Sequence, residues 1–120
     1  MTNSLPFPKS AHLRSEADFE RIYARKCKAA DGVLLVFADR NDLGVTRLGL
    51  SVSRKHGGAV VRNRLKRLLR EAFRLSQHEF PVGFDFIAIP LIAQCAKLSI
   101  YRTSLTKLAA KLAKWLETSR

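Results

Sequence analysis

The chain has 120 residues, of which 47% are apolar, and 22 Lys and Arg against 10 Asp and Glu give it a net charge of +12. That length holds one domain, residues 1–120, with enough apolar residues for a core, which excludes a disordered chain and a multidomain enzyme. Two cysteines, the lack of any apolar run near ~20 residues and the lack of an apolar stretch in residues 1–12 argue against a disulfide scaffold, a membrane protein and a secreted one. A cytoplasmic protein with a polyanionic partner is the expectation.

Residues 1–13, with Pro6 and Pro8, read as an extended arm. Ser15 is a good N-cap, with Glu16 and Asp18 in the first turn and Phe19, Ile22 and Tyr23 at helical spacing, so a short helix is predicted there. Gly32 opens the apolar run Val33 to Ala38, read as a buried strand that could supply two short ones. Asp39 to Gly44 reads as a turn. Leu48, Leu50 and Val52 alternate with Gly49, Ser51 and Ser53, the period of a half-buried strand whose second face is small enough for close approach. After Gly57-Gly58 a strong helix is predicted to about His78, with Val61, Leu65, Leu68, Leu69, Ala72 and Phe73 on its apolar side. Pro81 and Gly83 end it. Phe84 to Ile89 reads as a further strand, stopped by Pro90. A last helix starts at Ser99 or Thr103, with Tyr101, Leu105, Leu108, Leu112, Trp115 and Leu116 as its apolar stripe. The expected fold is α+β: a single α/β sandwich, one mostly antiparallel sheet with helices packed on it, in the order α-β-β-β-α-β-α.

Residues 47–74 carry nine Lys and Arg and one acid, Glu71, so intrahelical ion pairing cannot account for the cations. A merely solvated basic face is the bland alternative, and the near absence of acids argues against it. Arg54 and Lys55 precede the glycine pair, and Arg62, Asn63, Arg64, Lys66, Arg67 and Arg70 follow on the helix. Arginine offers phosphate a bidentate fork, lysine a mobile point charge, and the helix N-terminus a partial positive charge. Asn63 can donate and accept at once. Together these residues suit a phosphate backbone.

The run from Gly49 to Phe73 resembles the signature of the bacterial ribonuclease P protein subunit. Gly49, Ser51, Val52, Ser53, Lys55, Gly57, Ala59, Val60, Arg62, Asn63, Arg64, Lys66, Arg67, Arg70, Glu71 and Phe73 stand at the family's positions. Weaker likeness extends to His12-Leu13-Arg14 with Asp18-Phe19 and Tyr23, and to Asp85. Arg54 replaces a common Lys, Gly58 stands where Asn is frequent, and Ile89-Pro90-Leu91 stands where many members end the strand in a basic residue. The resemblance implies a left-handed crossover into the Arg-Asn-Arg helix, an exception to the usual hand. It implies the small subunit of a ribonucleoprotein endoribonuclease that removes the 5′ leader of precursor tRNA. The RNA subunit then carries the catalytic centre and most of the Mg2+. It also implies one protein per RNA, and Arg54, Lys55, Arg62, Asn63, Arg64, Lys66, Arg67 and Arg70 facing that RNA.

The same resemblance places the leader in a cleft between the first helix and the sheet. The residues allow one: Phe19 and Tyr23 lie four apart, Phe37 is on the strand beneath, and Ser51 and Ser53 line the small-residue face. The three aromatics read equally as plain core. No protein catalytic or metal-binding set is apparent. His12, His56 and His78 lie far apart, without a carboxylate or cysteine at ligand spacing, and Cys27 and Cys95 read as core. A structural RNA-binding module, a protein-only nuclease and a membrane-surface protein are the rival readings. The first shares the charge and fold class. The second lacks clustered carboxylates, and the third would need Trp and Leu exposed beside the cations, whereas Trp115 is on the last helix, away from the main basic stretch, so no membrane partner is expected.

Overall fold

The computed structural model describes residues 7–91 and 97–118. Its elements are α1 (Glu16–Arg25), β1 (Lys28–Ala30), β2 (Leu34–Arg40), β3 (Arg47–Leu50), α2 (Ala59–Ser76), β4 (Phe84–Pro90) and α3 (Leu98–Thr118), in the expected order. The strands form one sheet in the order β1-β2-β4-β3. Antiparallel pairing joins β1 to β2 and β2 to β4, and β3 runs parallel to β4. A parallel neighbour needs a crossover, and α2 makes it.

The two faces of the sheet have different tasks. Leu34, Val36 and Ala38 of β2, Leu48 of β3 and Phe86 and Ala88 of β4 point to one side, into the main core under α2 and α3. Leu65, Leu69, Ala72 and Phe73 of α2 and Tyr101, Leu105, Leu108, Leu112 and Leu116 of α3 close that core. The opposite face carries Phe37, Ile87 and Ile89 and takes α1, through Ile22, Phe19 and Tyr23. Buried and half-buried residues therefore alternate along β2, so the apolar run 33–38 is one two-sided strand and not a uniformly buried one. The extra strand is β1, upstream of that run. Asp31 makes the turn between β1 and β2: its Oδ1 accepts from the Val33 and Leu34 N–H groups, each at 3.0 Å, and its Oδ2 accepts from Ser104 on α3 at 2.7 Å.

Helix ends follow local chemistry. Ser15 Oγ accepts from Asp18 N–H at the start of α1, and Lys26 closes it in the left-handed conformation. Three expectations are corrected. The described part of the arm, residues 7–13, is not free: it makes a short turn at Lys9–Ala11 and bridges His12 to Leu48, with Ala11 and Leu13 buried. Val61 is 39% exposed, because it lies in the first turn of α2 before that helix reaches the sheet. Trp115 is 47% exposed, since Leu112 and Leu116 already fill the inner face of α3. Cys27 is buried as expected. Cys95 lies outside the described residues.

Candidate nucleic-acid interface

A row of charge across the sheet sets where α1 lies. Asp39 of β2 and Arg47 of β3 both stand opposite Asp85 of β4, on the α1 face. Asp85 is fully buried and its oxygens are saturated. Arg47 Nε donates to Oδ1 at 2.8 Å and Arg47 Nη2 to Oδ2 at 2.7 Å. Asn41 donates to Oδ1 at 2.8 Å, and Arg21 Nη2 to Oδ2 at 2.5 Å. Arg21 also donates to Asp39 at 2.6 Å, so one guanidinium ties α1 to two strands. Burial pushes the Asp85 carboxyl up, but these donors outweigh it and hold the group below its ordinary range. Sequence reading singled out Asp85 only as part of the family pattern. Its partners are 38, 44 and 64 residues away in the chain and carried no local signal.

Beside that anchor the three predicted aromatics meet. Phe19 and Tyr23 are 6.1 Å apart, edge-on, and Tyr23 meets Phe37 at 4.8 Å. All three are half-buried over Leu13, Ile22 and Ile87, so each is both packed and accessible. Lys28 Nζ lies 5.6 Å from the Phe37 ring centre, a cation beside the cleft that the sequence did not flag. Ser51 is half-buried, two residues beyond Gly49 on the same alternation. Ser53 sits elsewhere: it is exposed and caps the short turn Arg54–His56.

The predicted basic residues divide by whether an acid already holds them. Arg47 is spent on Asp85, and Arg74 on Glu71. Among the described residues, no acid lies within ion-pair distance of Arg54, Lys55, Arg62, Lys66, Arg67 or Arg70. Arg62 Nε is buried without a hydrogen-bond partner. Asn63, Lys66, Arg67 and Arg70 line one shallow groove of about 360 Å3. Lys66 and Arg70 also border a second, of about 310 Å3, with His12, Arg14, Phe19, Leu48 and Leu50. Burial holds the His12 imidazole below its ordinary value against the hydrogen bond to the Phe7 carbonyl, and Arg14 and Arg70 push it the same way as burial. Arg64 is exposed on the outer side of α2, and Arg54 and Lys55 are exposed on the turn before it. Among the described residues, no group of three or more His, Cys, Asp or Glu is placed to hold a metal ion. Among the described residues, no helix is long and apolar enough to cross a membrane.

Residues 7–115 match the family model described as Ribonuclease P. The chain belongs to the ribonuclease P protein family. It is 37% identical over 114 residues to the ribonuclease P protein component of Caldanaerobacter subterraneus subsp. tengcongensis, covering 93% of this chain and 97% of that one. The solved RNase P protein of Thermotoga maritima superposes with a TM-score of 0.76 at 31% identity, covering 83% of this chain and 96% of that one. That of Staphylococcus aureus superposes with 0.74 at 33% identity, covering 88% and 97%.

Proposed function

We propose that this chain, as the protein component of ribonuclease P, holds the catalytic RNA on the cationic face of α2 and the 5′ leader of precursor tRNA on the aromatic face between α1 and the sheet. One observation carries the reading: Lys66 and Arg70, with no acid partner, close a groove that Phe19 also lines. A single strand is held by cations along its phosphates and by flat side chains under its bases, each stack worth about 1–3 kcal/mol. Phe19, Tyr23 and Phe37 offer the second, and Lys66, Arg70 and Lys28 the first. The outer side of α2, with Asn63, Arg64 and Arg67, and the Arg54–Lys55 turn then meet the RNA subunit.

In this reading the hydrolytic centre and its Mg2+ belong mainly to the RNA subunit, with one protein bound per RNA in the cytoplasm. The chain's own contribution is electrostatic and positional. Neutralised phosphates let RNA and substrate approach with less Mg2+, and the held leader favours the precursor over mature tRNA. Reconstitution tests this. At low Mg2+, the protein added to a bacterial ribonuclease P RNA is expected to stimulate 5′ cleavage strongly over RNA alone. Replacing Lys66 and Arg70 together by Ala should remove most of that gain. Tyr23→Ala should weaken binding of leader-bearing substrate more than of mature tRNA. Equal losses for both would return the aromatics to a purely structural role, and no stimulation by the protein would leave a general RNA-binding module.

A further inference from the structure

We infer that His56 is a positioning residue that pins the Arg54–Lys55 turn to the end of β4, so that both cations are held ready for the RNA subunit. The inference rests on the reading above, in which that turn meets RNA. The last ladder contact of the β3 strand path is Ser51 N–H to the Ala88 carbonyl at 3.0 Å. Beyond it the chain leaves the sheet for seven residues before α2. The turn there is closed by two local bonds, His56 N–H to Ser53 at 2.9 Å and Gly57 N–H to Arg54 at 3.1 Å. Local bonds shape a turn but do not orient it on the body of the protein.

The His56 ring does that. Ser53 N–H donates to Nδ1 at 2.9 Å, so Nδ1 is the acceptor nitrogen. Nε2 then carries the proton and donates to the Pro90 carbonyl at 2.7 Å. The Ser53 carbonyl is 3.2 Å from Nδ1, on the same side as its N–H. One imidazole ring therefore bridges the start of the turn to the last residue of β4. Gly57 follows directly with φ of 131°, a conformation that glycine alone adopts at little cost, and the chain turns into α2. Arg54 and Lys55 stand between these fixed points, exposed and without an acid partner. Long cationic side chains on a fixed backbone lose less freedom on binding than the same residues on a loose loop.

The test is binding of the intact protein to a ribonuclease P RNA across a salt series. His56→Phe keeps a flat ring at this position but removes both hydrogen bonds. It is expected to weaken binding about five- to tenfold at moderate salt and to lower the slope of log affinity against log salt by roughly one to two, the share of two phosphate contacts. His56→Gln, whose amide can still reach the Pro90 carbonyl, should recover part of that slope. Added to an Arg54→Ala/Lys55→Ala background, His56→Phe should change nothing further, because the residues it positions are gone. A wild-type slope in His56→Phe, beside a weakened double variant, would overturn the latch alone. A further loss in the double-variant background would overturn it too, showing that His56 acts by another route. Unchanged binding in Arg54→Ala/Lys55→Ala would instead remove the turn from the RNA face, and the inference with it, while leaving the groove at Lys66 and Arg70 standing.

Discussion

A Cβ built on Gly49 would lie 2.7 Å from Phe19 Cζ and 3.2 Å from Leu13 Cβ. No side chain fits there unless the ring moves, so this glycine is what lets α1 seat Phe19 directly on β3. Its backbone φ is not in the left-handed region, and the reason for glycine is space alone. Gly49→Ala is therefore expected to cost about 1–3 kcal/mol, the usual range for overpacking a filled site, read as a lower urea midpoint with an unchanged denaturant slope. Because the ring that must give way lines the cleft, leader-bearing substrate should also bind more weakly relative to mature tRNA. The sequence showed the small-residue face of that strand but not what lies on it. Phe19 comes from 30 positions earlier, and only the packed helix brings it there.

Helix α2 carries two kinds of arginine that the sequence pattern could not tell apart. Arg74 forms an ion pair one turn away with Glu71, which holds that carboxyl below its ordinary range. Arg67 has no such partner and is exposed on the groove side with Asn63 and Lys66. A cation already paired within the protein has less to gain from phosphate. Arg67→Ala should thus reduce the salt slope of RNA binding by about 0.7–0.9, leaving thermal stability within about 0.5 kcal/mol. Arg74→Ala should change the slope less. Equal slopes lost in both variants would show that the pair opens on binding. The amphipathic pattern was legible because a helix repeats every 3.6 residues, so outward residues are known from their spacing. Which outward cations are free depends on neighbours that spacing does not list.

The whole molecule depends on one buried acid. Asp85 joins β4 to α1, β3 and the 41–45 turn through Arg21, Arg47 and Asn41, and every one of those donors needs it ionised or at least accepting. Its folded pKa lies below the unfolded value of about 3.9. The unfolded chain therefore takes up the proton first as pH falls. The stabilisation is complete above about pH 5 and is lost as pH drops below about 4 toward the folded value. Asp31, also lowered, acts in the same direction where α3 meets the β1–β2 turn. Removing the acid leaves Arg47 only the longer Asp18 contact at 3.5 Å and takes one of the acid partners of Arg21, and Asp85→Ala should cost about 3 kcal/mol near neutrality. It should also flatten the acid limb of a plot of urea midpoint against pH between 6 and 3. An acid limb as steep as wild type would place the pH dependence elsewhere. The net charge of +12 makes this anchor more important, since self-repulsion opposes the compact state.

By itself the sequence determined what short-range rules and spacing can express. It set the element order, the capping of α1, the two-faced strand that contains Leu48–Leu50, the cationic face of α2 and the family signature that spans them. Each of these is read from residue types and their spacing along the chain. Tertiary structure alone decided which pairs distant in the chain would meet. It put Phe19 on Gly49, Asp39 and Arg47 on either side of Asp85, Lys66 and Arg70 beside His12 and Arg14, and His56 on the Pro90 carbonyl. It also separated bound cations from free ones, and showed Val61 and Trp115 outward where periodicity had placed them inward. Periodicity reports the direction a side chain takes from its own element. Burial depends on whether another element reaches that direction, and the chain's fold, not its local pattern, supplies that neighbour.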